Sequence, residues 1–271
     1  MRHITNIIST LFGYFARYKF PTLIQRRINK TYANLFEIDF TDFAPLESYG
    51  SLNELFTRKL THPREIDTAK NSLISPCDAL ITEVGQIHDF MALQIKNKSY
   101  KLKTLLSTYS AYGKGLLGDF EQGHFVNFYL SPKDYHCYHA PCDLEVLDSI
   151  HIGGRLFPVN LKFLNKKEEL FNENERVILE CRHANKTFYL VFVGALNVGG
   201  MTFVFDEKIC TNKNANFTER LYTNIHLKKG DMMGNFEMGS TVAMITPKDF
   251  LSPVVQAGDN VRFADVIAHI K

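Results

Sequence analysis

Residues 130–143, LSPKDYHCYHAPCD, place His136, Cys137, His139 and Cys142 close together, a set that could ligate a metal ion. Extended backbone argues against that use, because alternate side chains of a strand face opposite ways and only a turn would gather the two histidines. The same imidazoles read equally as hydrogen-bonded loop residues, or as groups that exchange a proton near neutral pH. In residues 73–81, LISPCDALI, Asp78 follows a proline at the start of an apolar run. It reads either as a turn former or as a buried carboxylate that orients a histidine, the arrangement that activates a hydroxyl.

A third stretch, KGDMMGNFEMGSTVAMI, sets Ser240 directly after Gly239. Taken alone it is a turn between two strands. If a base removes the Ser240 proton, however, its oxygen can attack the Gly239 carbonyl, an approach least hindered when the acyl residue is glycine. The closing stretch, SPVVQAGDNVRFADVIAHI, has the texture of the last hairpin of lipoyl and biotinyl carrier domains, which would imply a swinging-arm module. Lys248, in TPKDF, lacks the small or methionine neighbours such an arm needs.

These groups need elements to position them. The chain has 271 residues, 45% of them hydrophobic, so it can bury a substantial core. With 31 basic and 29 acidic residues and a net charge of +2, it has no field that argues for nucleic acid. Five cysteines without a cleavable signal point to a reducing, cytoplasmic setting, and no run is long and apolar enough to span a bilayer. Residues 1–18 put Ile4, Ile7, Ile8, Leu11, Phe12 and Phe15 on one side of a helix. Residues 22–36 repeat the pattern after Pro21, with Arg26, Arg27 and Lys30 on the other side. Those apolar faces either pack on the rest of the protein or attach to an anionic membrane surface. Residues 51–60 predict a third helix capped by Ser51. From about residue 73 short runs such as HFVNFYL, RVILEC, TFYLVFVGAL and GMTFVF, bounded by turn residues, predict strands. The expected fold is α+β: a helical membrane-associating region over 1–60, then a mostly antiparallel β catalytic domain over 61–271.

In order along the chain, FTRKL, SPCDALI, LSPKDYHCYHAPCD, GGRLFPVN, LFNENERV, VGALNVGG, KKGDMMGNFEMGST and AGDNVRFAD make the sequence resemble the bacterial phosphatidylserine decarboxylases. The likeness runs from about residue 49 to the end. It implies a proenzyme cut after Gly239 into a large chain of residues 1–239 and a small chain of 240–271, with Ser240 becoming an N-terminal pyruvoyl group, the covalent cofactor. By the same resemblance Asp78 and His139 complete the self-processing triad with Ser240, and His136 handles substrate and decarboxylation. Met238 stands where the family has leucine, and Cys77 and Ala79 where it commonly has alanine and glycine.

The resemblance further implies that phosphatidylserine is decarboxylated to phosphatidylethanolamine through a Schiff base. It also implies no metal, no nucleic acid, processed protomers paired as a homodimer, and peripheral attachment to the cytoplasmic face of the cell membrane. Three rivals remain: a pyruvoyl decarboxylase of a soluble amino acid, the carrier module, and a non-catalytic membrane-binding β domain.

Overall fold

The computed structural model describes residues 4–95, 98–106, 116–159, 170–196, 200–209, 211–212, 217–237 and 241–271. Met238, Gly239, Ser240 and Cys210 therefore lie outside the described residues.

Runs of apolar and β-branched residues with turn residues between them form sixteen strands among the described residues. They are β1 (Ser72–Ile74), β2 (Ala79–Gln86), β3 (Met91–Ile95), β4 (Lys98–Lys101), β5 (His124–Tyr129), β6 (Cys137–His139), β7 (Leu144–Ile152), β8 (Arg176–His183), β9 (Lys186–Val193), β10 (Met201–Phe203), β11 (Phe217–Leu227), β12 (Met232–Phe236), β13 (Thr241–Thr246), β14 (Leu251–Pro253), β15 (Asn260–Val261) and β16 (Val266–Ile270). The largest sheet has eight strands in the order β11-β7-β8-β9-β13-β5-β2-β15, and every pairing along it is antiparallel.

Strand β13 lies inside this sheet, with all six of its residues buried. Both its faces meet core: Val242 and Met244 join one apolar cluster with Phe128 and Phe192, while Ala243 and Ile245 join another with Phe125 and Val191. That alternation is the two-residue period of a strand with both faces covered, which is why TVAMIT reads as a continuous apolar run. Two three-stranded sheets, β10-β12-β6 and β1-β16-β14, complete the framework around the site. The chain leaves the first of them at Phe236 and enters the eight-stranded sheet at Thr241.

Helices α1 (Ile4–Arg17) and α2 (Thr22–Phe36) form where the periodicity predicts, but their bulky apolar faces point outward. Helix α1 buries Ser9, Gly13 and Ala16, and α2 buries Gln25, Asn29 and Ala33. Small side chains let α1 approach the domain closely. The buried amides of α2 satisfy each other, Gln25 Nε2 donating to Asn29 Oδ1 (2.8 Å) and Asn29 Nδ2 to the Tyr49 carbonyl (2.9 Å). Ile4, Leu11, Leu23 and Leu35 are left 63–83% exposed.

Ser51 caps α3 (Leu52–Phe56), accepting from the Glu54 amide at 3.1 Å. This helix ends before residue 60 because Arg58 turns inward, buried over the Phe43 ring (4.6 Å), and donates to the carbonyls of Lys133 and Asp134.

Close approach of β12 to β10 requires a glycine at 234, where a Cβ would come within 1.8 Å of the Thr202 carbonyl oxygen. Gly234→Ala should therefore cost about 1–3 kcal/mol, as overpacking does, read as a lower urea midpoint with an unchanged slope.

Candidate active site

Strand β6 carries His139 at its end, opposite Met232 of β12, and the His139 amide donates to the Pro76 carbonyl at 2.8 Å. The imidazole is buried and stacked on the Phe263 ring, with centroids 3.6 Å apart and an interplanar angle of 15°. Its Nδ1 lies 2.9 Å from the Gly230 carbonyl and its Nε2 lies 3.1 Å from the Tyr135 hydroxyl. A carbonyl only accepts, so the ring proton sits on Nδ1 and Nε2 carries the lone pair. Gly230 reaches this position at φ +89°, and a Cβ there would strike Ile66. Burial pushes His139 down to about 4, with the Gly230 carbonyl and Asp78 opposing and Arg64 adding to the fall.

Asp78 precedes β2 and receives three hydrogen bonds. Arg64 grips it with Nη1 (2.5 Å) and Nη2 (3.0 Å), and the Phe263 amide donates at 2.7 Å. Asp78 therefore does not hold the His139 tautomer, which belongs to Gly230. The reason is competition: a planar guanidinium fork and a backbone N–H occupy the carboxylate first. Phe263 still joins the two residues, its amide on Asp78 and its ring on His139.

His136 occupies different surroundings from His139, as extended backbone requires. Its Nδ1 donates to the Asp134 carbonyl at 2.8 Å, its ring lies 3.9 Å from that of Phe56, and its buried Nε2 has no partner among the described residues. Complete burial, reinforced by the charge of Arg58, pushes it down to about 3. The Phe236 amide donates to the His136 carbonyl at 2.9 Å, so the chain approaching residues 238–240 passes beside this histidine. On the far side Thr241 pairs with Tyr129 and Val193, and its buried Oγ1 also lacks a partner among the described residues. Cys137 and Cys142 are free buried thiols, raised by desolvation, Cys142 to about 12. Among the described residues no group of three or more His, Cys, Asp or Glu is gathered to hold a metal ion.

Between α1, α2 and the β domain opens an apolar groove of about 590 Å³. Phe12, Phe15, Ile28 and Tyr32 line it from the helices, and Arg27 is a charged residue on its wall. Its lining also includes Phe56, which touches His136, and Tyr129, which pairs with Thr241. The groove's lining thus runs from the exposed helices to Phe56, beside His136, and to Tyr129, beside Thr241.

Sequence reasoning did not single out Tyr135, Arg64, Gly230 or Phe263. Tyr135 stands beside His136 in a stretch already rich in chemistry, a signal that could have found it. Arg64, in THPREID, has no local pattern that pairs it with Asp78.

The sequence profile described as phosphatidylserine decarboxylase matches residues 52–269. A Helicobacter pylori protein named phosphatidylserine decarboxylase proenzyme is 45% identical over 267 residues, which cover 97% of this chain and 97% of that protein. Proteins of the same name from Campylobacter jejuni and Actinobacillus pleuropneumoniae serotype 3 are 43% and 33% identical, covering 96% and 97% of this chain and 97% and 91% of their own lengths.

Both histidines are depressed below the ordinary value of 6.5, so the fold holds them neutral. The unfolded chain then binds more protons, and the stability they contribute is complete above about pH 6.5 and lost as pH falls toward the folded values. The urea midpoint should drop between pH 7.5 and 5, and His136→Gln, which cannot titrate, should flatten that drop.

Proposed function

Because the chain belongs to the phosphatidylserine decarboxylase family, we propose that it cuts itself between Gly239 and Ser240 and acts at the membrane surface through the pyruvoyl group that Ser240 becomes. The neighbourhood fits such a group. His136 Nε2 and Thr241 Oγ1 are buried polar atoms without partners among the described residues; Thr241 follows Ser240 in sequence, and His136 accepts from the Phe236 amide. Buried polar atoms of that kind call for a further polar group. The pyruvoyl group supplies a carbonyl that takes the substrate amine and accepts the electron pair released with carbon dioxide.

This chain's residues do the rest. His139 carries its lone pair on Nε2 and serves as the base that frees the Ser240 oxygen. Asp78 aligns Phe263 under that ring and acts on it only through its field. His136, neutral and aimed away from its own hydrogen bond, accepts a proton or a hydrogen bond from the substrate headgroup. Phe56 and the groove walls exclude water from the reacting end of the lipid.

The observation that carries the lipid reading is the inversion of α1 and α2, apolar outside and small or amide-bearing inside. No helix among the described residues is long and apolar enough to cross a bilayer, so attachment is along its surface. A decarboxylase of a soluble amino acid would have no use for that face or for the groove beneath it.

Denaturing mass spectrometry of purified protein should give two chains, 1–239 and 240–271, with a borohydride-reducible end on the second. A single intact chain in active enzyme refutes the proposal. Ser240→Ala and His139→Ala should leave the chain whole, whereas His136→Ala should be cut but turn over poorly. Leu11 is exposed in solution, so Leu11→Glu should leave the melting temperature unchanged. Losing its contribution of about 1.5–3 kcal/mol to lipid burial should weaken sedimentation with anionic vesicles at least tenfold. Equal binding by Leu11→Glu, or by a chain lacking residues 1–40, sinks the membrane reading.

A further inference from the structure

The FTRKL segment closes around His136 from two sides. Phe56 lays its ring against the imidazole, with centroids 3.9 Å apart, and Arg58, two residues on, reaches the edge that carries Nδ1. That second contact is shared, not direct. Arg58 Nη2 donates to the Asp134 carbonyl at 3.1 Å, and His136 Nδ1 donates to the same oxygen at 2.8 Å. Bonds of 3.1 and 2.8 Å to one oxygen keep the two nitrogens within about 6 Å of each other. A carbonyl oxygen has two lone pairs, and these two donors account for both.

Arg58 is locked in this position. Its side chain is 2% exposed, its guanidinium lies over the Phe43 ring at 4.6 Å, Nη1 donates to the Leu55 carbonyl at 3.4 Å, and Nη2 also donates to the Lys133 carbonyl. Asp134 is fixed in turn, its carboxylate accepting from the Ser131 amide at 2.6 Å and the Ser131 hydroxyl at 2.7 Å, which aims its carbonyl. No carboxylate pairs with the guanidinium among the described residues; Asp134 and Asp78 act on it through space. A buried guanidinium so placed is costly, and an apolar side chain of like volume would fill the place at least as stably. Its station beside a histidine whose Nε2 is unfilled gives the charge a use.

We propose that Arg58 is the positioning residue of His136, holding its proton on Nδ1 and its lone pair on Nε2 through the carbonyl oxygen that the two share. The inference rests on the decarboxylation role proposed for His136 and adds a residue to it. Because the guanidinium fixes the Asp134 oxygen, the ring cannot turn over to present an N–H at the Nε2 position without losing its bond. The charge also opposes a second charge on the imidazole. Burial first and Arg58 second push His136 down to about 3, against the Asp134 carbonyl, which favours the protonated form. The other titratable groups nearby do not reverse this. On its own segment Lys133 is exposed, the Asp134 carboxylate is held by Ser131, and burial keeps Tyr135, Cys137 and His139 neutral. The tyrosines that act on Arg58, Tyr32 and Tyr49, are pushed up by burial and are neutral as well.

Decarboxylation of phosphatidylserine in detergent micelles, followed across pH with chain cutting checked on denaturing gels, tests this. Arg58→Gln keeps an N–H donor and loses the charge; its kcat should fall about 10–100-fold with KM unchanged, and the acid limb of kcat should move to higher pH. Arg58→Lys restores the charge and should recover most of kcat and the parent limb. A raised KM with kcat kept would put Arg58 on the substrate, and an unchanged kcat and limb in Arg58→Gln would leave it structural; either result overturns the positioning role alone. Should these variants fail to fold or to be cut, histidine ¹⁵N spectra of the parent decide, the His136 signals being those missing from His136→Gln. They should show a ring protonated on Nδ1 that does not titrate between pH 8 and 5, and a ring protonated on Nε2, or one that titrates, overturns the proposal. His136→Ala turning over as fast as the parent overturns the role of His136 and the positioning with it.

Discussion

The guanidinium of Arg64 ties together three parts of the chain that are far apart in sequence. It donates to Asp42 beyond the N-terminal helices, to Asp78 at the start of β2, and to the Phe263 carbonyl in the C-terminal hairpin. Asp78 and Arg64 are only 14% and 13% exposed along their side chains, and a carboxylate so placed needs a charged, hydrogen-bonded partner. Breaking a buried pair from one side costs about 3–5 kcal/mol, so the fork stabilises the closure of all three segments. A lysine could not grip both oxygens while reaching Asp42. Because the Phe263 amide shares Asp78, the same closure sets the ring under His139. The charge network and the stacking of the base are one construction.

That construction spans the bond proposed to be cut. Residues 241–271 supply β13 inside the eight-stranded sheet, β15 at its edge, and β14 and β16 beside β1. If the backbone is severed as proposed, a small chain so woven would stay in place by sheet pairing and burial, and Phe263 would stay on His139. The two histidines have different surroundings, on which the different roles proposed for them rest. His139 faces the Tyr135–Phe263 side, with its hydrogen bonds filled, while His136 lies against Phe56 in the lining of the groove, with Nε2 unfilled.

Much of this was legible in the sequence where the signal is local. Helices α1 and α2 follow from their periodicity, α3 from Ser51 as its cap, and β5, β8, β9 and β10 from short apolar runs between turn residues. The opposition of His136 and His139 follows from the two-residue strand period. What was not legible is what depends on the third dimension. Periodicity says that a helix has an apolar face but not which side the domain lies on; the stripe of Ser9, Gly13 and Ala16 on the opposite face carried that information. The partner of Asp78 comes from a charged stretch without pattern, and the tautomer of His139 is held by a glycine carbonyl that carries no side-chain signal. Helix α3 stops early because a buried arginine outcompetes helical continuation.

The inverted helices pose an energetic question that the groove answers. Exposed Ile, Leu and Phe side chains on α1 and α2 gain only part of what the fold could give, since complete burial of such a side chain is worth about 1.5–3 kcal/mol. The ties of α1 to the domain are Phe12 packed against two buried clusters, a hydrogen bond from Asn6 to the Gly154 carbonyl, the seam of small residues, and an ion pair of Arg17 with Glu237 exposed enough to be worth about 0–1 kcal/mol. A fold that turned these faces inward would be more stable in water but would close the groove whose lining reaches Phe56 and Tyr129. On the proposed membrane reading, the outward apolar sides of the helices face the medium the substrate comes from and leave that passage open.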